Sequence, residues 1–342
     1  MRIGILSRWN ATCGVSMHAE LIGRELIKMG CELVVFAPYV ESANKWWHHR
    51  VIRRDEEFVV RCYTETEPGK KYGGSIDEEK ILSYNPDVLI VESYVSIPYL
   101  EVERLVRRMN SPTVAVIHEG RRRDILYSNL QAFDAIAVFD ERYLKEMLKD
   151  HEDLVRIIPY PCHRIRESKR KFAEDQLTFF TFGRQPENEY RDYLQALELI
   201  HKKHDFIYKV IRSDGALSFK KPWLKELKKR LEDEELYKEL SKSDIHLLPK
   251  GKTDAVVVSS TLSQCLGSIV PTVVPDTRHF EALPREKPVI TYNSVDNLTE
   301  ELEKLIEDKE YRKKIKNAAK RYVEENSSEK IARKFTELLN SV

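Results

Sequence analysis

The chain of 342 residues is longer than one hydrophobic core usually grows, so its length predicts two domains. Apolar residues make up 42% and aromatic residues 9%, which excludes a disordered or collagen-like chain, and no stretch is apolar enough for a membrane-spanning helix. Lys and Arg number 57 against 56 acidic residues, and this net charge of +1 predicts no nucleic-acid partner through bulk electrostatics.

The cysteines and the first residues of the chain indicate its compartment. The five cysteines are an odd number, lie far apart and form no C-x-x-C pair, which favours a reducing environment and neither a disulfide framework nor a zinc site. The apolar run at residues 3–6 is too short for a secretory signal and is typical of a first strand. We therefore expect a soluble, cytoplasmic protein.

The first half of the chain alternates short apolar runs with helical patterns. The run at residues 3–6 predicts a strand, and residues 16–29 predict the helix that follows it. Further strands are predicted at residues 33–37, 55–62, 87–92, 113–117 and 135–139. Because most of these runs are continuous in Val, Ile, Leu and Ala, they indicate a parallel sheet that is buried on both faces.

A second alternating series follows the basic stretch 162–176, which lacks apolar periodicity. Strands are predicted at residues 177–182, 206–211, 245–248, 270–274 and 288–292, with a helix around residues 223–239. These patterns predict an N-terminal domain at 1–162, a linker at 163–176 and a second domain at 177–326. The amphipathic tail 327–342 carries Ile331, Phe335 and Leu338 on one stripe, and we expect this helix to cross back to the first domain.

Gly14 lies in the loop between the first strand and the first helix. Glycine permits a close backbone approach, and the following helix N-terminus offers free N–H groups to an anion such as phosphate. An ordinary tight turn with Ser16 as the helix cap explains the same residues. Ligands of such sheets bind beyond the carboxyl ends of the strands, which favours a site at this position.

His118 and Glu119 directly follow the strand at 113–117, so both are expected at the same carboxyl edge. A neutral imidazole there can hydrogen-bond a sugar hydroxyl, although a histidine at a strand end is often structural. Arg121, Arg122 and Arg123 follow and are expected on the acceptor side, where guanidinium groups suit phosphate or carboxylate. A solvated run of charge is the alternative interpretation of these three residues.

Trp46 and Trp47 stand among basic residues in the first half. Paired tryptophans beside positive charge are unusual on a plain surface, so we expect an acceptor-side loop that contacts a glycan or a lipid headgroup region. Packing of the pair beneath a long loop is the alternative.

In the second half, Arg184 directly follows the strand 177–182 and a glycine, which places a guanidinium at the carboxyl edge of the second sheet. Ser263 belongs to a hydroxyl-rich stretch before a predicted helix. The hydroxyl groups there suit either helix capping or contacts to phosphate or ribose. Two sheets that each present anion-binding ends suit a nucleotide diphosphate.

The order of these motifs resembles the group-1 (family 4) retaining glycosyltransferases of the GT-B fold over nearly the whole chain. Gly14 and its helix are similar to the glycine loop of the family, His118-Glu119 to its "HD" step, and Phe182-Gly183-Arg184 to its "vGR" opening. Further matching segments are residues 29–35, 156–159, 244–249 and 271–276 with Glu281, and the closing helices 318–332. The resemblance implies two Rossmann-like domains that face a central cleft.

Three departures from the family pattern affect the donor site. The E-x7-E pair is missing, and its place falls near Ser263 and Gln264. The lysine that the family places after the "GR" arginine falls at Glu189, with Arg191 the nearest cation that could replace it. The "ivGdG" strand end reads Val210 to Gly215, with Arg212 in place of a glycine before Asp214.

The resemblance implies transfer of a sugar, with retention, from a nucleotide-sugar to a glycan, a lipid-linked molecule or a small molecule. It implies Arg184, Gly14, Arg191, Asp214, Ser263, Gln264 and Glu281 as donor-binding residues and His118 as the residue facing the donor sugar. No cofactor and no metal are expected, and peripheral membrane contact is an open possibility. A catalytically silent nucleotide-sugar-binding protein and a sugar-nucleotide epimerase on the same scaffold are the alternatives.

Overall fold

The computed structural model describes residues 1–46 and 49–342. The chain divides into two compact units, and each has its own sheet and its own hydrophobic core. Unit 1 comprises Met1–Pro161, Ala255–Ser260 and Asn326–Val342; unit 2 comprises Cys162–Asp254 and Thr261–Glu325. Among the described residues, no helix combines the length and apolar character needed to cross a membrane.

Unit 1 is built on a sheet that has eight strands within the described residues, in the order β4-β3-β2-β1-β5-β6-β7-β8. All neighbouring strands run parallel except the short β4, which pairs antiparallel with β3. The strands are β1 (Arg2–Leu6), β2 (Glu32–Pro38), β3 (Val59–Thr64), β4 (Ser75–Ile76), β5 (Val88–Ser93), β6 (Thr113–Ile117), β7 (Ala135–Val138) and β8 (Val155–Ile157). The helices are α1 (Gly14–Lys28), α2 (Val40–Ala43), α3 (Glu78–Tyr84), α4 (Tyr99–Arg108), α5 (Glu141–Met147) and α11 (Ser328–Leu339).

Unit 2 contains a sheet of six parallel strands within the described residues, in the order β11-β10-β9-β12-β13-β14. The strands are β9 (Leu177–Gly183), β10 (Phe206–Arg212), β11 (Leu224–Lys228), β12 (Ile245–Leu247), β13 (Thr272–Pro275) and β14 (Ile290–Tyr292). The helices are α6 (Arg191–Ile200), α7 (Asp233–Leu240), α8 (Ser260–Cys265), α9 (Val295–Glu307) and α10 (Lys309–Glu325). The predicted α/β class with two parallel-sheet, Rossmann-like domains is confirmed.

The continuous apolar runs of the sequence form the central strands. Every residue of β5, β6 and β7 is buried. Strands of this kind are shielded on both faces, so polar side chains collect at the strand ends and in the loops that follow. This arrangement places the candidate functional residues at the carboxyl edge of each sheet.

The C-terminal helix α11 packs within unit 1. Ile331, Phe335 and Leu338 are buried in the same core cluster as strands β1 to β8. Ser328 also donates a hydrogen bond to Glu25 of α1, at 3.3 Å. The apolar stripe of the tail therefore covers helix α1 and contributes to the stability of unit 1.

The basic stretch after unit 1 contains no helix or strand over residues 163–176, and it belongs to unit 2. Arg170 forms an ion pair with Asp244 at 2.6 Å, and the Asp244 carboxylate is buried. The sequence also gave no sign that Ala255–Ser260 would be counted with unit 1. In that segment the amide of Val256 donates to the carbonyl of Gly120 at 2.8 Å.

The predicted helix over residues 223–239 is wrong in its first half. Leu224–Lys228 forms strand β11, which pairs in parallel with β10, and only Asp233–Leu240 is helical. The lysines and Glu226 favour a helix by intrinsic propensity, but the open edge of β10 offers a row of backbone partners that overrides this preference. Charged side chains are also well suited to an edge strand.

The strand predicted at residues 55–62 begins later, at Val59. Asp55 and Glu56 lie in the loop before this strand, where Asp55 pairs with Arg61 at 2.6 Å and Glu56 pairs with Arg24. Glu56 also accepts hydrogen bonds from the Trp9 indole and from Asn10, both at 3.0 Å. Burial raises the pKa of Glu56, but these donors outweigh it and lower the pKa to about 2.

We expect Phe335→Ala to lower the free energy of unfolding by about 3–5 kcal/mol, because it leaves a cavity between α11 and the core of unit 1. Denaturant unfolding followed by circular dichroism measures the change. Lys334→Ala is the matched control, since Lys334 is exposed on the same helix. Equal losses in the two variants would contradict a packing role for the apolar stripe.

Glu56 should make the stability of unit 1 depend on acidity. Its depressed pKa stabilises the fold above pH 4.5, and this contribution is lost as the pH falls from about 4.5 towards 2. Glu56→Gln should therefore be less stable than the wild type at pH 7, and the difference should shrink progressively below pH 4.5. Unfolding measured across this range tests the expectation, with Glu57→Gln as the neighbouring control. A difference that does not change with pH would exclude it.

Candidate functional site

A cavity of about 280 Å³ lies within unit 1 at the carboxyl edge of its sheet. Its walls come from residues that follow β1, β5, β6 and β7, from the start of α1 and from the segment Ala255–Ser260. The aromatic lining residues are Tyr94, Phe139, Tyr143 and Tyr160, and the polar ones include Arg8, His118 and Ser260. Gly14 and His118, which the sequence placed at this edge, both line the cavity.

His118 is tied to a buried carboxylate. Its Nε2 lies 2.5 Å from Oε2 of Glu92, and the other oxygen of Glu92 lies 2.8 Å from Nδ1 of His18. His18 and Glu92 are at most 1% exposed, whereas the His118 side chain is 10% exposed. Glu92 is the last but one residue of β5, and His18 lies one turn into α1. Sequence reasoning missed both residues because they belong to stretches that otherwise form the core.

The two imidazoles stabilise the charge of Glu92. Burial alone would raise the pKa of this carboxyl group, but the charge of His18 and hydrogen bonds from both histidines lower it to about 2. Burial lowers the pKa of His118, and Glu92 opposes that effect. The ligand atoms of His18, Glu92 and His118 lie within 4.8 Å of one another, a set of two imidazoles and one carboxylate that could hold a metal ion. In this structure both histidines hydrogen-bond to Glu92.

Gly14 starts α1 and approaches its neighbours closely. A Cβ at this position would lie 3.0 Å from the side chain of Ser260, so a larger residue would require that side chain to move by a few tenths of an ångström. The helix cap is Cys13, whose sulfur accepts from the Ser16 amide at 3.4 Å. The alternative interpretation of Ser16 as the cap is therefore wrong: its hydroxyl is buried and donates to Glu20.

Arg8 lines the cavity, but its charge is already matched. Its guanidinium donates two hydrogen bonds to Glu65, at 2.6 and 2.7 Å, and both side chains are buried. Tyr94 donates to the same carboxylate at 2.7 Å. This network supports the cavity wall and leaves Arg8 poorly suited to bind a phosphate.

Glu119 points into the core. It accepts hydrogen bonds from Ser93 at 2.5 Å and Tyr99 at 2.7 Å and is 1% exposed, and its burial raises its pKa. The arginines that follow lie in the loop after β6. Arg121 pairs with Asp124 at 3.7 Å, whereas Arg122 and Arg123 are exposed at the start of a short 3-10 turn.

The predicted acceptor-side loop is only partly described. Trp46 is half-buried and its ring lies 4.4 Å from the Lys45 ammonium, a cation–π contact. Trp47 lies outside the described residues. His49 lines the cavity and its Nδ1 lies 2.9 Å from the carbonyl of Thr12.

In unit 2, Arg184 stands at the carboxyl end of β9. The preceding Gly183 has φ +129°, a backbone conformation that glycine adopts readily and that turns the chain sharply at the strand end. Strand β12 is a parallel neighbour of β9, and Lys250 lies three residues after the end of β12. Arg184 and Lys250 therefore belong to the same edge of the sheet.

Lys250 is a cation that sequence reasoning missed. Burial lowers the pKa of its ammonium group, Glu189 opposes this effect, and the positive charge of Arg184 adds to the lowering. Glu189 accepts a hydrogen bond from the Gly251 amide, although burial raises its own pKa. Glu189 occupies the place of the family lysine, and the structure supplies Lys250 beside it. The available signal was the position after Pro249, at the end of the matching segment 244–249.

The other predicted donor residues have local partners or are exposed. Arg191 is exposed at the start of α6, and Asp214 is exposed and accepts from Ser213 at 2.7 Å. Gln264 donates to Asp233 at 2.7 Å, Ser263 is buried, and Glu281 pairs with Arg278 at 3.2 Å. Arg212, which replaces the family glycine, donates to the carbonyls of Gly215 and Gln185 at 2.8 and 2.9 Å and so braces the strand ends.

No family model matches the chain. Solved structures show the same fold over its whole length. An α-glucosyltransferase (AGT) in complex with UDP has a TM-score of 0.69 and 13% identity, covering 99% of this chain and 100% of the other. Trehalose-6-phosphate synthase OtsA has a TM-score of 0.70 and 10% identity, covering 100% and 99%. Sucrose-phosphate synthase from Thermosynechococcus elongatus has a TM-score of 0.69 and 10% identity, covering 100% and 98%.

These comparisons correct the expectation that a nucleic-acid partner is excluded. The α-glucosyltransferase has also been solved with UDP and a 13-mer DNA containing an HMU base, and that structure has a TM-score of 0.67 and 13% identity over 99% of both chains. A protein of this fold therefore does bind DNA. A net charge near zero is an average over the surface and does not exclude local contacts to phosphates. The similarities confirm the predicted GT-B fold of the chain.

Proposed function

We propose that the chain is a glycosyltransferase that moves a sugar from a nucleotide-sugar to an acceptor hydroxyl. The group-1 (family 4) resemblance supports transfer with retention and a donor diphosphate that is held by side chains and backbone amides without a metal ion. Neighbouring structures hold UDP, and one trehalose-6-phosphate structure holds UDP-2-fluoro glucose. The observation that carries the proposal is the pair Arg184 and Lys250 at one edge of the unit 2 sheet.

Two cations at one partly buried edge favour an anion. The charge of Arg184 lowers the pKa of Lys250, which places the two cations within electrostatic range, and the larger effect of Glu189 raises that pKa. A diphosphate bound beside them would accept charge-assisted hydrogen bonds from both cations. The ends of parallel strands are also the usual ligand position in open α/β sheets.

A catalytically silent nucleotide-binding protein is the second candidate. The residues that stand where the family has its E-x7-E pair favour it. Gln264 there donates to Asp233, and its backbone carbonyl accepts from Tyr237 at 2.9 Å. These contacts are internal to unit 2. Transfer of sugar, as opposed to binding of the nucleotide, separates the two candidates.

We expect Arg184→Ala and Lys250→Met each to weaken UDP binding by about ten- to a hundredfold, because one charge-assisted contact contributes roughly 1.5–3 kcal/mol. Isothermal titration calorimetry with UDP and UDP-glucose measures the effect. Lys252→Met is the matched control, since Lys252 is exposed two residues further along the same loop. Unchanged affinity in both site variants would place the diphosphate elsewhere.

His118→Ala should lower turnover more than donor binding, because His118 lines the cavity of unit 1 while the diphosphate ligands belong to unit 2. Release of UDP from UDP-sugars is measured with monosaccharides, lipid-linked sugars and DNA containing an HMU base as acceptors. The anomeric configuration of the product, read by NMR, tests retention. UDP binding without transfer to any acceptor would support the silent protein, and isomerised donor would support the epimerase.

A further inference from the structure

The hydrogen-bonded triad His18–Glu92–His118 joins three elements of unit 1 next to the cavity. One carboxylate faces two imidazoles, each on a different oxygen, at 2.8 and 2.5 Å. His18 comes from α1, Glu92 from β5, and His118 from the loop after β6. Gly14 and His118 line the cavity, so the triad connects two parts of the cavity wall from the buried side.

The chemistry of a carboxylate fixes the protons on both rings. An ionised Glu92 accepts hydrogen bonds and donates none, so each facing ring nitrogen must carry a proton. His118 is then protonated at Nε2 and, when neutral, keeps its lone pair on Nδ1. His18 is likewise protonated at Nδ1, and its Nε2 is a buried atom without a hydrogen-bond partner among the described residues.

The unpartnered Nε2 of His18 argues against a purely structural role for the triad. A buried polar atom without a partner typically costs about 1–3 kcal/mol, and an apolar side chain at position 18 would avoid the cost. The ring is enclosed by Phe139, Tyr160 and Phe335, with centroids 5.2, 5.2 and 5.8 Å away. This packing fixes the orientation of His18, which in turn holds the second oxygen of Glu92.

We infer that Glu92 is a positioning residue for His118 and that His18 holds Glu92 in place. The triad keeps the imidazole of His118 in one orientation and in the Nε2–H form. Nδ1 is then the atom that accepts a hydrogen bond from a substrate hydroxyl. This role rests on the proposed function in one respect, the assignment of His118 to the substrate. The protonation pattern itself can be measured without any substrate.

The direct test is 15N NMR of protein labelled selectively at histidine, with His118→Gln and His18→Asn used to assign the two rings. In the wild type at neutral pH, His118 should be protonated at Nε2 and His18 at Nδ1. In Glu92→Gln the amide has one accepting oxygen and one donating nitrogen, so at least one of the two rings must change its tautomer. The exposed His201 should be unaffected and serves as the internal control.

Activity provides the second measurement. Glu92→Gln should lower kcat by about tenfold or more with a smaller change in KM, because a misoriented or wrongly protonated imidazole binds but reacts poorly. His18→Asn retains a donor near the position of Nδ1 and should keep most of the turnover, whereas His18→Phe removes the donor and should not. Thermal unfolding of each variant checks that the fold is intact.

The inference is overturned if wild-type His118 carries its proton on Nδ1, or if both rings keep their wild-type tautomers in Glu92→Gln. It is also overturned if one equivalent of Zn²⁺ binds the wild type and shifts both ring resonances, because the cluster would then be a metal site. Wild-type protein with the expected tautomers but no sugar transfer would refute the proposed function and would still support the triad.

Discussion

Burial of both faces of the two parallel sheets is the constraint on which the rest of this structure depends. Strands such as β5, β6 and β7 have no solvent-facing residues, so their polar side chains lie at or next to the strand ends, as Glu92 and Ser93 do in β5. The candidate functional side chains lie at the carboxyl ends, where parallel strands finish at the same edge. His118 and Arg184 are both positioned in this way, one in each unit.

The charges at the two edges are treated differently. In unit 1 Arg8 is matched by a buried Glu65, and Glu92 is matched by two histidines, so the cavity wall is neutralised from within. In unit 2 burial lowers the pKa of Lys250, Glu189 raises it, and the charge of Arg184 adds a smaller lowering. The second edge carries two basic side chains and one acid, which supports the diphosphate site that we propose there, whereas the first edge presents histidine and aromatic side chains.

An acid, Glu189, stands where the family has a lysine, and Lys250 supplies a cation from another strand. A degenerate motif is therefore compatible with the anion site that we propose. A family comparison that follows the chain sees a lysine replaced by an acid and concludes that the site is weakened. The structure brings a lysine from the end of β12 to the same edge, beside that acid. Arg212 illustrates the opposite case, since it looks like an additional site cation but its guanidinium braces two backbone carbonyls.

The sequence by itself determined the class of fold, the central strands and the edge positions of His118, Arg184 and Gly14, because apolar runs and glycine turns are local signals of the chain. It could not determine strand β11, whose residues favour a helix until β10 supplies an open edge. Nor could it determine the partners of Lys250, Glu92 and His18, which lie 26 to 74 positions away from them in the chain. Such roles depend on which strands become neighbours, and strand order is set by packing of the whole sheet, which no local pattern records.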